Sequence, residues 1–550
     1  MTADLNPDPA LCAALRADLR DAGYTADAVR AAWGPLADEA VGHGLHGPAL
    51  AALAAQAAEA ARAAGSQVVP DAAAVLARLL FLGVRTPGAS VDAALPTVGS
   101  AGLVALGLAT IDGADVVPQA LVRPQDFVDA GGVGGVRGSV AAGGAGAAPD
   151  AGAGTSTGAT GGDWWVASDL DEAALGGALP TGHVLGVGGA SLTLAGLQLP
   201  TSAGRVLDLG TGCGIQALRA RRFADAVVAT DVSARALAFT RLNALLNDVD
   251  GIEVREGSLF EPVRGELFDR VVSNPPFVIT PRRADVPAYE YRDAGFAGDD
   301  LVAAFVTGVG EVLTPGGTAQ LLGNWEYRAD VDGLDRVRGW VDASPVPLDA
   351  WVIERERLDP LAYAELWVRD GGTAPGTPGY AALVEAWLDD FAARGVTEVG
   401  FGYLVLRRAA SGTPTLRRFE RVSQPLGEGL GAHVAEALAA SDLIDGLDDA
   451  ALAATTLTVA GDVTEARHHL PGAEAPSVIE LRQGGGLART IEVDPALAAL
   501  VGACDGDLAV GPLIDAIAQL LEVDATALRA DLLPRVRELV FTGFLTLPRR

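Results

Sequence analysis

Arg205-Val-Leu-Asp-Leu-Gly-Thr-Gly-Cys-Gly-Ile-Gln216 is the stretch from which the rest of the chain can be read. An apolar strand enters a turn with three alternate glycines and leaves it as a helix from Ala217, so backbone N–H groups and a helix N-terminus face whatever binds there. Gly210, Gly212 and Gly214 permit the tight turn and let a ligand approach the backbone. Dinucleotide-binding turns share this spacing, and the glycines alone do not choose between ligands.

Two features further along narrow the choice. Ala226-Val-Val-Ala-Thr-Asp231 is a second apolar strand ending in a carboxylate 23 positions after Asp208, where it can accept both hydroxyls of a ribose. Asp208 itself stands just before the glycines, a place that attracts a cation and offers nothing to a pyrophosphate. The sulfonium and ammonium groups of S-adenosyl-L-methionine fit it better. Then Phe268-Asp-Arg-Val-Val-Ser-Asn-Pro-Pro-Phe277 sets Asn274, Pro275, Pro276 and Phe277 directly after another apolar strand. The prolines fix φ and hold the preceding residue extended, so the Asn274 amide and the Pro275 carbonyl project as a rigid fork of acceptors. Such a fork can take both hydrogens of a planar –NH₂ group and aim a weakly nucleophilic nitrogen at a methyl donor, with Phe277 stacking on the flat group. Positioning supplies the catalysis, because the nitrogen proton becomes acidic only after methylation.

With these residues the chain resembles the class I S-adenosylmethionine-dependent methyltransferases, in the Asn-Pro-Pro-Tyr/Phe branch that acts on amide or exocyclic amino nitrogens, over roughly residues 183–330. By its motifs it resembles the HemK-like glutamine N5 methyltransferases of release factors: Ala229-Thr-Asp-Val-Ser-Ala-Arg-Ala-Leu continues as Arg241-Leu-Asn-Ala, and Gly257-Ser-Leu-Phe-Glu-Pro matches that family's loop. The resemblance implies a Rossmann-like domain and an S-adenosyl-L-methionine site made by Asp208, Gly210, Thr211, Gly212, Cys213 and Gly214 on the first turn. Asp231 and Val232 follow the second strand, Ser258 and Leu259 lie at the adenine, and Asn274 is shared with the substrate. Ser258 stands where the family usually has Asp. Phe277 replaces the commoner Tyr, as in ribosomal RNA guanine-N2 and adenine-N6 enzymes. The implied substrate is a protein glutamine side chain, in a translation factor for instance. The alternative is an exocyclic base amine of RNA or DNA, and a third reading is a cofactor-binding or interaction protein that does not turn over. Gly186-Val-Gly-Gly-Ala-Ser-Leu-Thr-Leu-Ala falls where these enzymes cover the methionine end of the cofactor, with Ser191 and Thr193 as candidates. Tyr289 to Leu301 falls where they shape the substrate pocket.

Around this core the pattern predicts an α/β fold with flanking modules. Residues 1–129 read as short amphipathic helices followed by helix, helix, strand, strand, a helical and winged-helix-like domain. Residues 130–162, mostly Gly and Ala, read as a flexible insert or linker. Residues 163–412, with strand-like Asp163-Trp-Trp-Val-Ala-Ser-Asp-Leu at their start, read as the methyltransferase domain. Residues 413–550 read as a small α+β, winged-helix-like domain with a Gly484-Gly-Gly turn between two strands.

Composition removes other chemistries. The 550 residues carry 70 acids against 40 bases, a formal −30, and every base is Arg. Without Lys there is no P-loop and no Schiff-base or PLP enzyme. The acidity argues against general binding to nucleic acid or anionic membrane, although residues 201–330 hold 18 acids and 13 arginines and carry only about −5 of it. Cys12, Cys213 and Cys504 form neither a disulfide framework nor a zinc ribbon, and a reducing cytoplasm fits. No metal site is expected: His468 and His469 read as a solvated loop, and Cys213 as a small residue in the turn. The N-terminus lacks the features of a signal peptide and no run spans a bilayer. Arg219, Arg221 and Arg222 read as a solvent face, whereas Arg282 and Arg283, after Phe277, are candidates for phosphate contacts.

Overall fold

A computed structural model describes residues 4–64, 71–130, 133–137, 160–177, 179–283, 286 and 295–547. The chain divides into two compact units, one made of nearly all residues up to Arg421 and the other mainly of Val422–Arg550.

The first unit opens with helices Pro9–Asp21, Ala26–Trp33, Pro35–Gly42 and Gly47–Ala64. The first two begin where Asp8 and Thr25 accept hydrogen bonds from the Leu11 and Ala28 N–H groups. Helix Ala72–Leu76 runs on through a π-helical turn to Phe81. Then come β1 (Thr86–Pro87), helices Gly88–Ala94 and Gly99–Ala105, β2 (Ala109–Asp112) and β3 (Asp115–Pro118); the two helices and a strand over 114–118 match the expectation, whereas the strand expected from Ala120 joins a different sheet. The three strands form an antiparallel sheet in the order β1-β3-β2.

β4 (Ala120–Ala130), β5 (Val133–Arg137) and β6 (Thr160–Asp169) make a second sheet, with β4 in the middle and antiparallel to β6. Two expectations change here. Part of the predicted linker, 130–162, is strand, and residues 138–159 of it lie outside the described residues. The Trp164-Trp165 strand, predicted to open the catalytic domain, pairs with β4 along its whole length. Among the described residues its other edge meets no strand: the side chains of Asn243 and Asn247, from helix Ala234–Leu246 and its C-cap, bond to the backbone of Ala167 and Trp165.

The central sheet has eight strands: β7 (Ala203–Leu209), β8 (Ala224–Asp231), β9 (Ile252–Glu256), β10 (Phe268–Ser273), β11 (Leu313–Arg328), β12 (Leu348–Leu358), β13 (Val396–Arg408) and β14 (Arg417–Arg421). Their order is β14-β12-β13-β11-β10-β7-β8-β9. β9, β8, β7, β10 and β11 are parallel, and β13 runs antiparallel between β11 and β12. β14 extends this sheet past the domain boundary predicted at residue 413. The chain winds outward from β7 through β8 to β9, then returns to β10 on the other side of β7, so the strand order reverses between β7 and β10. Ligands of open α/β sheets bind at such a switch point, beyond the carboxyl ends of the strands. Leu209 pairs with both Thr230 and Ser273, which brings the ends of β7, β8 and β10 level.

The helices on either face bury apolar cores, with Phe268, Phe305, Leu321 and Trp325 on one and Val206, Ala217 and Val227 on the other. Helix Pro360–Asp370 was not anticipated, although its Asp359 N-cap and Pro360 at the first position are start signals. The predicted solvent face of arginines holds for the exposed Arg222 but is corrected at Arg219. Arg219 is buried with its guanidinium over the Phe223 ring, Arg221 holds the Asp250 carboxylate and Arg222 lies over Phe127.

The second unit, described by itself, begins with helix Leu430–Asp445 and contains two three-stranded sheets. One is β19 (Asp505–Ala509), β15 (Thr456–Val459) and β20 (Leu545–Thr546) in that order. The other is the meander β16 (Val463–His468), β17 (Val478–Gln483), β18 (Thr490–Val493), whose second turn holds the glycines at 484–486. Helices Pro495–Ala503, Val510–Leu520 and Ala525–Phe541 complete the α+β module. Among the described residues no helix is long and apolar enough to cross a membrane.

Candidate active site

The glycine turn lies between β7 and helix Ile215–Arg221, and its three glycines have φ of +74°, +56° and +86°. They serve two purposes. A Cβ on Gly210 or Gly212 would point into open space, so beyond the turn geometry it is ligand room that these residues leave. A Cβ on Gly214 would meet Thr240 at 3.0 Å, so that glycine lets helix Ala234–Leu246 pack close. Thr240 secures the turn from below, its hydroxyl donating to the Gly212 carbonyl at 3.1 Å. The Cys213 side chain is buried in the core and its thiol is pushed up to about 11, chiefly by burial, so only its backbone belongs to the turn.

Asp208 and Asp231 are treated differently by their surroundings. Asp208 is fully buried on β7; Oδ2 accepts from the Thr211 hydroxyl at 2.6 Å, whereas Oδ1 has no hydrogen-bond partner. Burial pushes its carboxyl up to about 7, helped by the charge of Asp231 and opposed by the Thr211 hydroxyl and the Ala217 N–H. Asp231, at the end of β8, accepts from the Gly212 N–H at 3.0 Å and the Ser233 N–H at 2.9 Å, one on each oxygen. Its carbonyl takes the Gly257 N–H at 3.0 Å, which brings Gly257-Ser258-Leu259 alongside. Ser258 is exposed, Leu259 has φ +46°, and Val232 beside Asp231 is 53% exposed, an apolar surface next to a carboxylate.

The Asn274 segment follows β10. Ser273 anchors it by donating to the Leu209 carbonyl at 2.8 Å. Asn274 Nδ2 reaches the Ser191 hydroxyl at 3.5 Å, and Asn274 Oδ1 is buried with no partner. Ser191 sits on helix Gly189–Leu197, whose Ser191 carbonyl is held by Gln216 Nε2 at 2.7 Å. Pro275 is buried and Phe277 half-buried, its ring edge-on to Trp367 at 6.3 Å between centroids.

Asp208, Thr211, Gly212 and Asp231 are therefore drawn together directly, and Ser258, Leu259 and Asn274 meet them at the ends of neighbouring strands. Two orphaned buried acceptors and the space beside Gly210 and Gly212 fit a small ligand with cationic and hydrogen-bond-donating groups. Sequence reasoning missed Thr240, Gln216, Asn243 and the aromatic residues around Trp367. Asn243 lies within the quoted Arg241-Leu-Asn-Ala run and Gln216 ends the quoted glycine stretch, so both had a signal; the others had none. Residues 289–294 of the predicted pocket segment Tyr289–Leu301 lie outside the described residues. Arg282 donates to the Phe296 carbonyl and Arg283 pairs with Asp389, so both candidates for phosphate contact hold protein partners. His468 ends β16 and pairs with Glu480 at 3.1 Å. Among the described residues no group of three His, Cys, Asp or Glu is arranged to hold a metal ion.

Comparison with known proteins agrees with this geometry. Residues 188–330 match the methyltransferase small domain, and residues 21–119 and 438–547 match two different domains of unknown function. The release factor glutamine methyltransferase of Xylella fastidiosa is 34% identical over 145 residues, 25% of this chain and 53% of that protein. The ribosomal protein uL3 glutamine methyltransferase of Bradyrhizobium diazoefficiens is 36% identical over 128 residues, 22% of this chain and 40% of that protein. The chain thus spans about half the length, or less, of these curated relatives. A ribosomal protein L11 methylase from Lactobacillus delbrueckii is a structural neighbour at TM-score 0.24 and 16% identity, covering 41% of this chain and 81% of that one. The central domain, residues 188–330, is a methyltransferase small domain of the class I, S-adenosylmethionine-dependent kind that resembles the release factor glutamine methyltransferases.

Proposed function

We propose that the chain is an S-adenosylmethionine-dependent N-methyltransferase whose acceptor is a glutamine side-chain amide in a protein. The observation that carries this is Asn274 Oδ1, a buried acceptor without a partner, held after β10 by two prolines and within one strand of the Asp208 carboxylate. An orphaned buried acceptor is costly, and here a substrate N–H would satisfy it.

S-adenosylmethionine, when bound, supplies a methyl group on a positively charged sulfur. Asp208 offers a carboxylate to the cationic end and Asp231 offers one to the ribose hydroxyls. The backbone of Gly210 to Gly214 gives room and N–H groups, with Val232, Ser258 and Leu259 beside the adenine. On the substrate side Asn274 Oδ1 and the Pro275 carbonyl accept the two amide hydrogens, which turns the nitrogen lone pair toward the methyl donor, and Phe277 lies against the planar amide. The methyl group would pass from the sulfonium to that nitrogen, which would release one proton to water, so no strong base is asked of these residues. The names of the relatives support glutamine as the acceptor, and the partnered state of Arg282 and Arg283 gives a base amine in RNA or DNA less to rest on.

The test adds the purified protein and methyl-labelled S-adenosylmethionine to a lysate lacking the enzyme. Label removed by protease and retained through nuclease, and placed on a glutamine by peptide mass spectrometry, supports the reading. Label removed by nuclease alone would replace it with a nucleic-acid substrate.

A further inference from the structure

The segment after Asn274 belongs to no strand, yet it is buried, and its backbone groups need partners. Ile279, 1% exposed, finds both of them on side chains from a two-helix insert between β12 and β13, helices Pro360–Asp370 and Pro378–Arg394. The Ile279 N–H donates to the Tyr363 hydroxyl at 2.8 Å, and the Ile279 carbonyl accepts from Trp387 Nε1 at 2.8 Å. The Tyr363 hydroxyl also accepts from Asn324 Nδ2 on β11 at 2.9 Å, and the Tyr363 ring stacks on Phe401 of β13 with centroids 5.6 Å apart. Tyr363 is therefore fixed to the sheet at both ring and hydroxyl. The same first helix places Trp367 against Phe277.

These contacts pin the loop at two points. Ser273 is tied to the Leu209 carbonyl at one end and Ile279 to the insert at the other, with the proline-stiffened run from Asn274 to Val278 between. Two prolines make that span stiff, so a shift at Ile279 passes to Asn274 instead of being absorbed. Resting on the proposal that Asn274 receives the substrate nitrogen, we propose that Tyr363 and Trp387 are positioning residues that set the orientation of the Asn274 acceptor through Ile279. They touch neither substrate nor cofactor in this role. The insert is thereby a working part of the catalytic centre.

Tyr363→Phe keeps the stacking ring and removes only the hydroxyl. Three quantities are measured on the full chain: hydrogen exchange over the peptide containing Ile279, the affinity for S-adenosylhomocysteine, and kcat and KM for methylation of a purified release factor and of ribosomal protein uL3. The expected result is faster exchange at Ile279, S-adenosylhomocysteine affinity within twofold of wild type, and kcat reduced about tenfold, because small misplacement of a reacting group is costly to rate. In an Asn274→Ala background the same substitution then has no further effect on rate, since both act through one group. Unchanged exchange at Ile279 overturns the proposal. So does wild-type kcat despite faster exchange, or an affinity loss equal to the kcat loss, which marks a general structural defect. Wild-type protein that methylates neither substrate defeats the glutamine reading, and the clamp is then decided by the Ile279 exchange.

Discussion

Asn243 and Ala167 exchange two hydrogen bonds: the Ala167 N–H donates to Asn243 Oδ1 at 2.7 Å, and Asn243 Nδ2 returns one to the Ala167 carbonyl at 2.9 Å. One helical turn on, Asn247 does the same for Trp165, at 2.8 and 2.9 Å. Two side chains on a helix thus stand in for a neighbouring strand along the free edge of β6. Asn243 Nδ2 also reaches the Cys213 carbonyl in the glycine turn at 2.7 Å. Asn243→Ala leaves several buried backbone groups unpaired, and a loss of about 2–4 kcal/mol is expected in chemical denaturation. Weaker binding of S-adenosylhomocysteine accompanies it, because the turn loses a tether.

Asp208 predicts a pH dependence with a definite sign. Its folded-state value of about 7 lies above the ordinary 3.8, so the ligand-free protein favours the protonated acid. The stability this brings is complete below about pH 4 and is lost as pH rises through 7. A cation at the site favours the ionised form, so cofactor affinity changes in the opposite direction. Calorimetric titrations at pH 6 and pH 8, each normalised to Asp208→Asn, are expected to show wild type binding about tenfold more tightly at the higher pH. Equal ratios for the two proteins would remove Asp208 from the role given to it.

Asn274→Ala is expected to reduce methyl transfer by about two orders of magnitude or more, the scale seen when one positioned hydrogen-bonding group is removed from an active site. Cofactor affinity should change severalfold at most, since the glycine turn and Asp231 remain. Single-turnover transfer read beside a direct binding measurement separates the two. Label transferred at the wild-type rate would show that the amide is not the acceptor.

The glycines give a contrast between neighbours. Gly212→Ala adds a methyl group to open space at φ +56°, so it costs about 1–2 kcal/mol of backbone strain and obstructs the ligand. Gly214→Ala has φ +86° and also presses on Thr240, so its loss falls mainly on stability. Thermal denaturation without ligand should rank Gly214→Ala as the more damaging substitution, and binding measured on the folded fraction should rank Gly212→Ala as the more damaging one.

The central site was readable because each of its parts is local. A positive φ calls for glycine, a carboxylate at the end of an apolar strand lies at the edge of the sheet, and two prolines stiffen whatever precedes them. Partner choice is not local. The alternation around Trp165 announced a strand correctly, but nothing in it says that β4 lies on one side and two asparagines on the other. Tyr363 and Trp387 meet Ile279 across 84 and 108 residues, and no spacing rule marks such contacts. Arg219 looked like surface because guanidinium groups usually are, until Phe223 supplied a ring to cover it.

The way β6 is held also bears on how this protein can be cut and recombined. The match to the methyltransferase small domain starts at residue 188, after β6 has ended, so an excision guided by that boundary discards the strand and keeps Asn243 and Asn247. The excised piece would expose two amides and an apolar helix face that evolved to be covered. For expression or domain swapping, a cut near Arg421, where the first compact unit ends, keeps β6 together with the helix that holds it. Sequence similarity and foldability draw their borders in different places.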